Sequence, residues 1–189
     1  MRLAAPRIAP LQDDELTPDQ REALAPMSAG GRPPLNIFRT LARAPKALTR
    51  FNEWGAYVLS RRNSLPARER EIVILRVGFL CKSGYEFTQH TRIGLNEGLT
   101  AAEIANIKAG AGAAWSPADA ALIRMADELV KDHFVSDATW AALSEHFDEK
   151  QRMDAVFTAG QYTQVSMILN TFGVQLEKPD ELDPALDGR

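Results

Sequence analysis

The chain has 189 residues, 45% hydrophobic and 25% charged, with a formal net charge of −3, the profile of a globular protein rather than a disordered one. So balanced a charge provides no general field for nucleic acid or an anionic membrane, and neither is expected as a partner. No apolar run reaches the ~18 residues of a membrane span, and MRLAAPRIAPLQDDE has no continuous apolar segment of the kind a secretory signal needs, so a soluble, cytoplasmic protein is expected.

Strand signals are scarce and helix punctuation is dense, which predicts an all-α chain. Thr17-Pro18-Asp19-Gln20 has the form of a capping box with proline at the first helical position, opening a helix to about Met27. The stretch Ser28 to Pro34 breaks the chain, so residues 1–34 read as an N-terminal arm and 35–176 as the main domain. Asn36 is placed to cap a short helix through Ala44, Pro45 opens another to about Arg61, and Pro66 opens one to about Lys82. From Ile72 to Leu80 that last helix is apolar nearly all round, interrupted by Arg76, which places it at the centre of a bundle or between subunits. Ser83-Gly84-Tyr85-Glu86 is a second capping-box form, for a helix ending near Gly98, and Thr100 to Glu103 is a third, for a helix stopping near Gly110. Ser116-Pro117, Ser136 and Asp148 start the remaining helices, the last running to Thr171 with Gly173 as its C-cap. Residues 177–189 are acidic and proline-bearing and read as a frayed tail.

Three histidines, His90, His133 and His146, form no HxH or HExxH pair, so neither a metal nor a cofactor is expected, and there is no phosphate-cradling glycine loop. The densest polar cluster is Glu71 with Ser83-Gly-Tyr-Glu86-Phe-Thr-Gln-His90. Glu86 and His90 stand four apart and share a helix face, where a carboxylate fixes the tautomer of an imidazole and suits it to acid–base work. The same residues read equally as a capping box between Ser83 and Glu86 and a surface ion pair, and spacing alone does not bring Glu71 to His90. Cys81 reads as a small buried hydrophobe or as a nucleophile.

The segment EREIVILRVGFLCKSGYEFTQHTRIGLNEGLTAAEI, Glu69 to Ile104, resembles the core of the carboxymuconolactone decarboxylase family, whose fold is shared with AhpD-like alkylhydroperoxidases. NIFRTLARAP (Asn36 to Pro45) and QYTQVSMILNTFGV (Gln161 to Val174) extend the likeness to about three quarters of the chain. The resemblance implies an AhpD-like helical bundle assembling as a homo-oligomer, a trimer or hexamer. In the peroxidase branch a glutamate precedes a Cys-x-x-Cys and then a histidine. Those positions fall on Glu71, Ser83, Glu86 and His90, so both cysteines are missing.

One cysteine cannot close a peroxidase cycle within the chain. The resemblance therefore implies the decarboxylase branch: a lyase acting on a small carboxylated lactone or related carbonyl acid, with His90 as proton donor, Glu86 orienting it and Glu71 as a second acid–base group. Ser83, Tyr85, Arg76, Tyr162 and Asn170 are the expected substrate-binding residues, with Arg39 and Arg92 as further candidate cations for a substrate carboxylate. The alternatives are a thiol peroxidase centred on Cys81 and a small-molecule-binding protein without turnover.

Overall fold

The computed structural model describes residues 3–29, 31–178 and 180–186. Within them the chain forms nine α-helices and no strand: α1 (Pro18–Leu24), α2 (Asn36–Leu41), α3 (Pro45–Val58), α4 (Ala67–Leu80), α5 (Gly84–Asn96), α6 (Ala101–Ala109), α7 (Pro117–Asp132), α8 (Asp137–Ser144) and α9 (Glu149–Phe172). Local chemistry sets most of the boundaries. The Thr17, Thr100 and Asp148 side chains accept from the backbone N–H three residues on, and each is answered in a full capping box by Gln20, Glu103 or Gln151. Ser116 and Ser136 cap α7 and α8 in the same way, and Gly173 ends α9 in the left-handed region at φ 69°.

Two expected caps do not form. Asn36 is the first residue inside α2, with its backbone N–H on Glu177 Oε1 at 2.6 Å and its side-chain amide on the Gln175 carbonyl. Ser83 precedes α5 but its hydroxyl makes no cap bond, and the reciprocal half of the box is absent too, with the Ser83 N–H on the Gly78 carbonyl and the Glu86 carboxyl on Ser166.

Helix α4 is the axle of the fold. Every residue from Arg70 to Gly78 is buried, and the helix packs on α5, α7 and α9. From Arg70 to Gly78 its apolar surface is covered within one chain, as that of a core helix is. Arg76 is structural on this helix: Nε bonds Asp127 at 2.5 Å and Nη1 bonds the Ile107 and Lys108 carbonyls at the end of α6. Gly110, at φ 90°, leaves room for it, since a Cβ there would stand 2.8 Å from Nη2.

A second buried hub ties α9 to the loop before α4. The Asp154 carboxylate accepts from the Tyr57 hydroxyl, the Ser64 backbone N–H and hydroxyl, and Lys150, at 2.6 to 2.7 Å. The N-terminal arm is docked by Leu11, which packs with Leu24, Ala42 and Leu48, and by Arg39, which bonds the Leu11 carbonyl and Asp13.

The C-terminal segment is a strap rather than a frayed tail. Leu186 is fully buried, Glu177 and Asp180 take bonds from Tyr85 and Gln89 of α5, and Lys108 of α6 pairs with Asp183. Residues 187–189 of the expected tail lie outside the described residues.

Candidate active site

The site forms where α5 folds back along α4. The connection is only Cys81, Lys82 and Ser83, with Lys82 at φ 55° and the Ser83 N–H bonded to the Gly78 carbonyl at 2.8 Å. Two antiparallel helices so joined bring Glu86 beside Gly78 and His90 beside Glu71. His90 Nδ1 lies 2.8 Å from Glu71 Oε2, and the two residues are 8% and 1% exposed. Facing a carboxylate, Nδ1 carries the proton and donates it, which leaves Nε2 as the ring nitrogen available to a ligand.

Glu86 does something else. Its Oε2 accepts from the Ser166 hydroxyl of α9 at 3.0 Å, while Oε1 is buried with no hydrogen-bond partner among the described residues. The niche depends on Gly78, where a Cβ would stand 2.7 Å from Oε1. Burial pushes the Glu86 carboxyl well above the usual range, and the nearby Glu71 charge adds to the rise against the Ser166 hydrogen bond, which favours the protonated form. The partner that orients His90 is thus Glu71, and the expected Glu86–His90 pair is replaced by Glu86–Ser166.

Tyr162 of α9 packs edge-on against His90, with ring centroids 4.8 Å apart. Burial first, then the nearby Glu71 charge, push its phenol well above its ordinary value, so it stays a neutral donor.

His90, Glu86 and Tyr162 line a cavity of about 420 Å³ between α2, α3, α5 and α9, together with Gln161 of α9 and the faces of Tyr85 and Gln89. Apolar residues, Phe38, Phe51, Leu59, Ile93, Val165 and Leu169 among them, make most of its wall, and no lysine or arginine lines it among the described residues. A larger, shallower depression of about 670 Å³ between α1 and α3, lined by Asp19, Glu22, Lys46 and Glu53 among others, contains none of these buried groups.

The remaining sequence candidates lie elsewhere. Ser83 is fully buried with its hydroxyl unpartnered and does not line the cavity. Tyr85 contributes its ring, while its hydroxyl donates to Glu177 Oε1 at 2.9 Å; burial, then the Glu177 charge, hold that phenol far above its usual value. Asn170 donates to the Cys81 carbonyl at 2.8 Å and so closes the end of α4. Cys81 is half-buried, packs against the core and is not among the lining residues. Arg39, Arg76 and Arg92 are all engaged in ion pairs away from the cavity wall. No group of histidine, cysteine and carboxylate residues that could hold a metal occurs among the described residues.

Sequence reasoning missed Ser166, Gln161 and Gly78. Thr158, Gln161, Tyr162, Ser166 and Leu169 recur at three- and four-residue spacing on the buried face of α9, and polar residues on such a stripe are the signal that marked two of them. Gly78 carries no such mark.

Residues 45–128 match the sequence profile of the carboxymuconolactone decarboxylase family. No curated protein matches the chain. Among solved structures it is similar to an AhpD-core, peroxidase-related protein from Ralstonia eutropha JMP134, at TM-score 0.78 and 20% identity over 93% of this chain and 95% of that one. It is also similar to a protein of unknown function from Agrobacterium tumefaciens, provisionally assigned to AhpD antioxidant defence, at TM-score 0.67 and 17% identity over 72% and 94% of the two chains. A third likeness is to a cysteine-to-alanine variant of the debrominase Bmp8 in complex with 2,3,4-tribromopyrrole, at TM-score 0.70 and 11% identity over 90% and 91%. Residues 45–128 thus resemble the carboxymuconolactone decarboxylase family, on an all-helical fold similar to that of AhpD-like proteins.

Proposed function

We propose that the protein is a cofactor-independent acid–base enzyme, a carboxymuconolactone decarboxylase-like lyase acting on a small carbonyl acid. The observation that carries this reading is the buried Glu71–His90 pair at 2.8 Å, with His90 lining an apolar cavity. In a decarboxylation the bond to the carboxylate breaks, CO2 leaves, and the electron pair remains as an enolate conjugated to the carbonyl. His90, held through Nδ1 by Glu71, delivers to the carbanionic carbon a proton that it has taken up on Nε2 from water. Water restores that proton after the product departs. The apolar wall favours the step, because a carboxylate without a cation is poorly stabilised there and neutral CO2 is not.

The test is CO2 release from a panel of small carbonyl acids, carboxymuconolactone among them, by the wild type and His90→Ala. A loss of roughly 10²-fold or more in kcat is expected for the variant. Retention of most of the activity by His90→Ala, or no release from any member of the panel by the folded wild type, overturns the reading.

A further inference from the structure

The cavity holds two consecutive polar side chains that the protein leaves unused. Gln161 is 5% exposed and lines the cavity, yet its amide has no hydrogen-bond partner among the described residues. The Tyr162 hydroxyl, equally buried and held neutral, has none either. Neither the amide nor the hydroxyl is among the fully buried atoms left without a partner, so both are accessible from the cavity they line and are open to whatever occupies it. Gly55 of α3 faces that amide, since a Cβ there would stand in ordinary contact with Gln161 Nε2, at 3.9 Å. Of the other polar wall residues, Tyr85 and Gln89 bond Glu177 and Asn52 Nδ2 bonds the Met27 sulfur, while His90 is held through Nδ1 by Glu71 and Glu86 through Oε2 by Ser166.

We infer that Gln161 and Tyr162 form the carbonyl-binding pair of the site, and that the ligand is a small cyclic carbonyl compound carrying no carboxylate other than one that departs. The amide N–H and the phenolic O–H both donate to one oxygen. With no lysine or arginine on the wall, that oxygen is uncharged in the bound ground state. The donors strengthen their hold as charge develops on the oxygen, so the pair favours an enolate over its parent carbonyl. This last point rests on the acid–base reading above; the recognition of a neutral oxygen does not.

The test is equilibrium binding without turnover. 4-Nitrophenol serves as an enol-like probe read by its absorbance, with benzamide and benzoate as competitors equal in size and different in charge. Wild type should bind the probe saturably, Gln161→Leu and Tyr162→Phe should each weaken it about three- to tenfold, and benzamide should compete at least several-fold better than benzoate. Gly55→Leu, which covers the amide from the opposite wall, should abolish binding while circular dichroism shows an unchanged helical fold. Absent or unsaturable binding by wild type, equal binding by Gln161→Leu, or benzoate competing as well as benzamide overturns the inference. Binding that depends on Gln161 with no CO2 release would leave it standing while the lyase reading fell.

Discussion

Replacing Glu71 with glutamine tests the pair that the proposed chemistry depends on. The change keeps the size of the side chain and removes its charge at a site 1% exposed, 2.8 Å from His90 Nδ1. A hydrogen bond to a charged group contributes about 1.5–3 kcal/mol, against about 0.5–1.5 for a neutral one. The difference, ~1–2 kcal/mol, matters most when the imidazole is protonated, and at ~1.4 kcal/mol per decade it corresponds to a loss of roughly 5- to 30-fold in kcat. Nitrogen-15 NMR of the His90 ring supplies a readout independent of turnover. In the wild type the neutral ring should carry its proton on Nδ1, and in Glu71→Gln that preference should weaken, because an amide offers either a donor or an acceptor. An unchanged kcat together with a wild-type ring proton on Nε2 would refute the assignment of Glu71 as the group that orients His90.

Two stability predictions follow from the other buried carboxyls. Burial alone would push the Asp154 carboxyl up, but bonds from Lys150, Tyr57 and Ser64 outweigh it and bring the value from 3.8 down to about 2. Such a group contributes stability above pH ~3.8 that disappears as the pH falls towards ~2, so Asp154→Asn should cost about 2 kcal/mol at neutral pH. Urea titrations should show that gap closing in acid, and a gap independent of pH would refute the account. Glu86 has the opposite sign: its folded form keeps a proton that the unfolded chain releases from pH ~4.5 upward, so the folding equilibrium falls by up to tenfold per pH unit above that point. Glu86→Gln should flatten this slope above pH ~4.5, and parallel wild-type and variant curves would remove Glu86 as its source.

The helix boundaries were legible wherever the cap is a local bond between residues three apart. Thr17 with Gln20 and Thr100 with Glu103 need nothing beyond their own turn, and both form as the sequence predicts. Ser83 with Glu86 has the same spelling and a different outcome, because Gly78 of α4 leaves a niche and Ser166 of α9 offers a hydrogen bond inside it. Tertiary contact outweighed a cap of about 1 kcal/mol, and no reading of one helix contains that competition. The C-terminal segment was misread for a related reason. Its acidic, proline-bearing composition is that of a frayed end, but Tyr85, Gln89, Arg92 and Lys108 present donors to Glu177, Asp180 and Asp183. Glu71 was legible as a residue and not as a partner: a carboxylate on an otherwise apolar helix must find a donor, but which donor is a question of how α5 returns along α4.

The interior of this bundle is more polar than folding requires. Glu71, Glu86, His90, Gln161, Tyr162 and Ser166 are all at least nine-tenths buried, on three helices that otherwise supply much of the hydrophobic core. Only some of them answer one another: Glu71 takes His90 and Glu86 takes Ser166, while Gln161, the Tyr162 hydroxyl and Glu86 Oε1 are left over. Paired buried charges are at best near neutral for stability against apolar residues of the same size, and unpaired buried polar atoms are a net cost. Stability therefore does not account for the set. What these residues share is the wall of one cavity or direct contact with a residue that lines it, and that shared location is what a site for proton transfer to a small carbonyl compound demands.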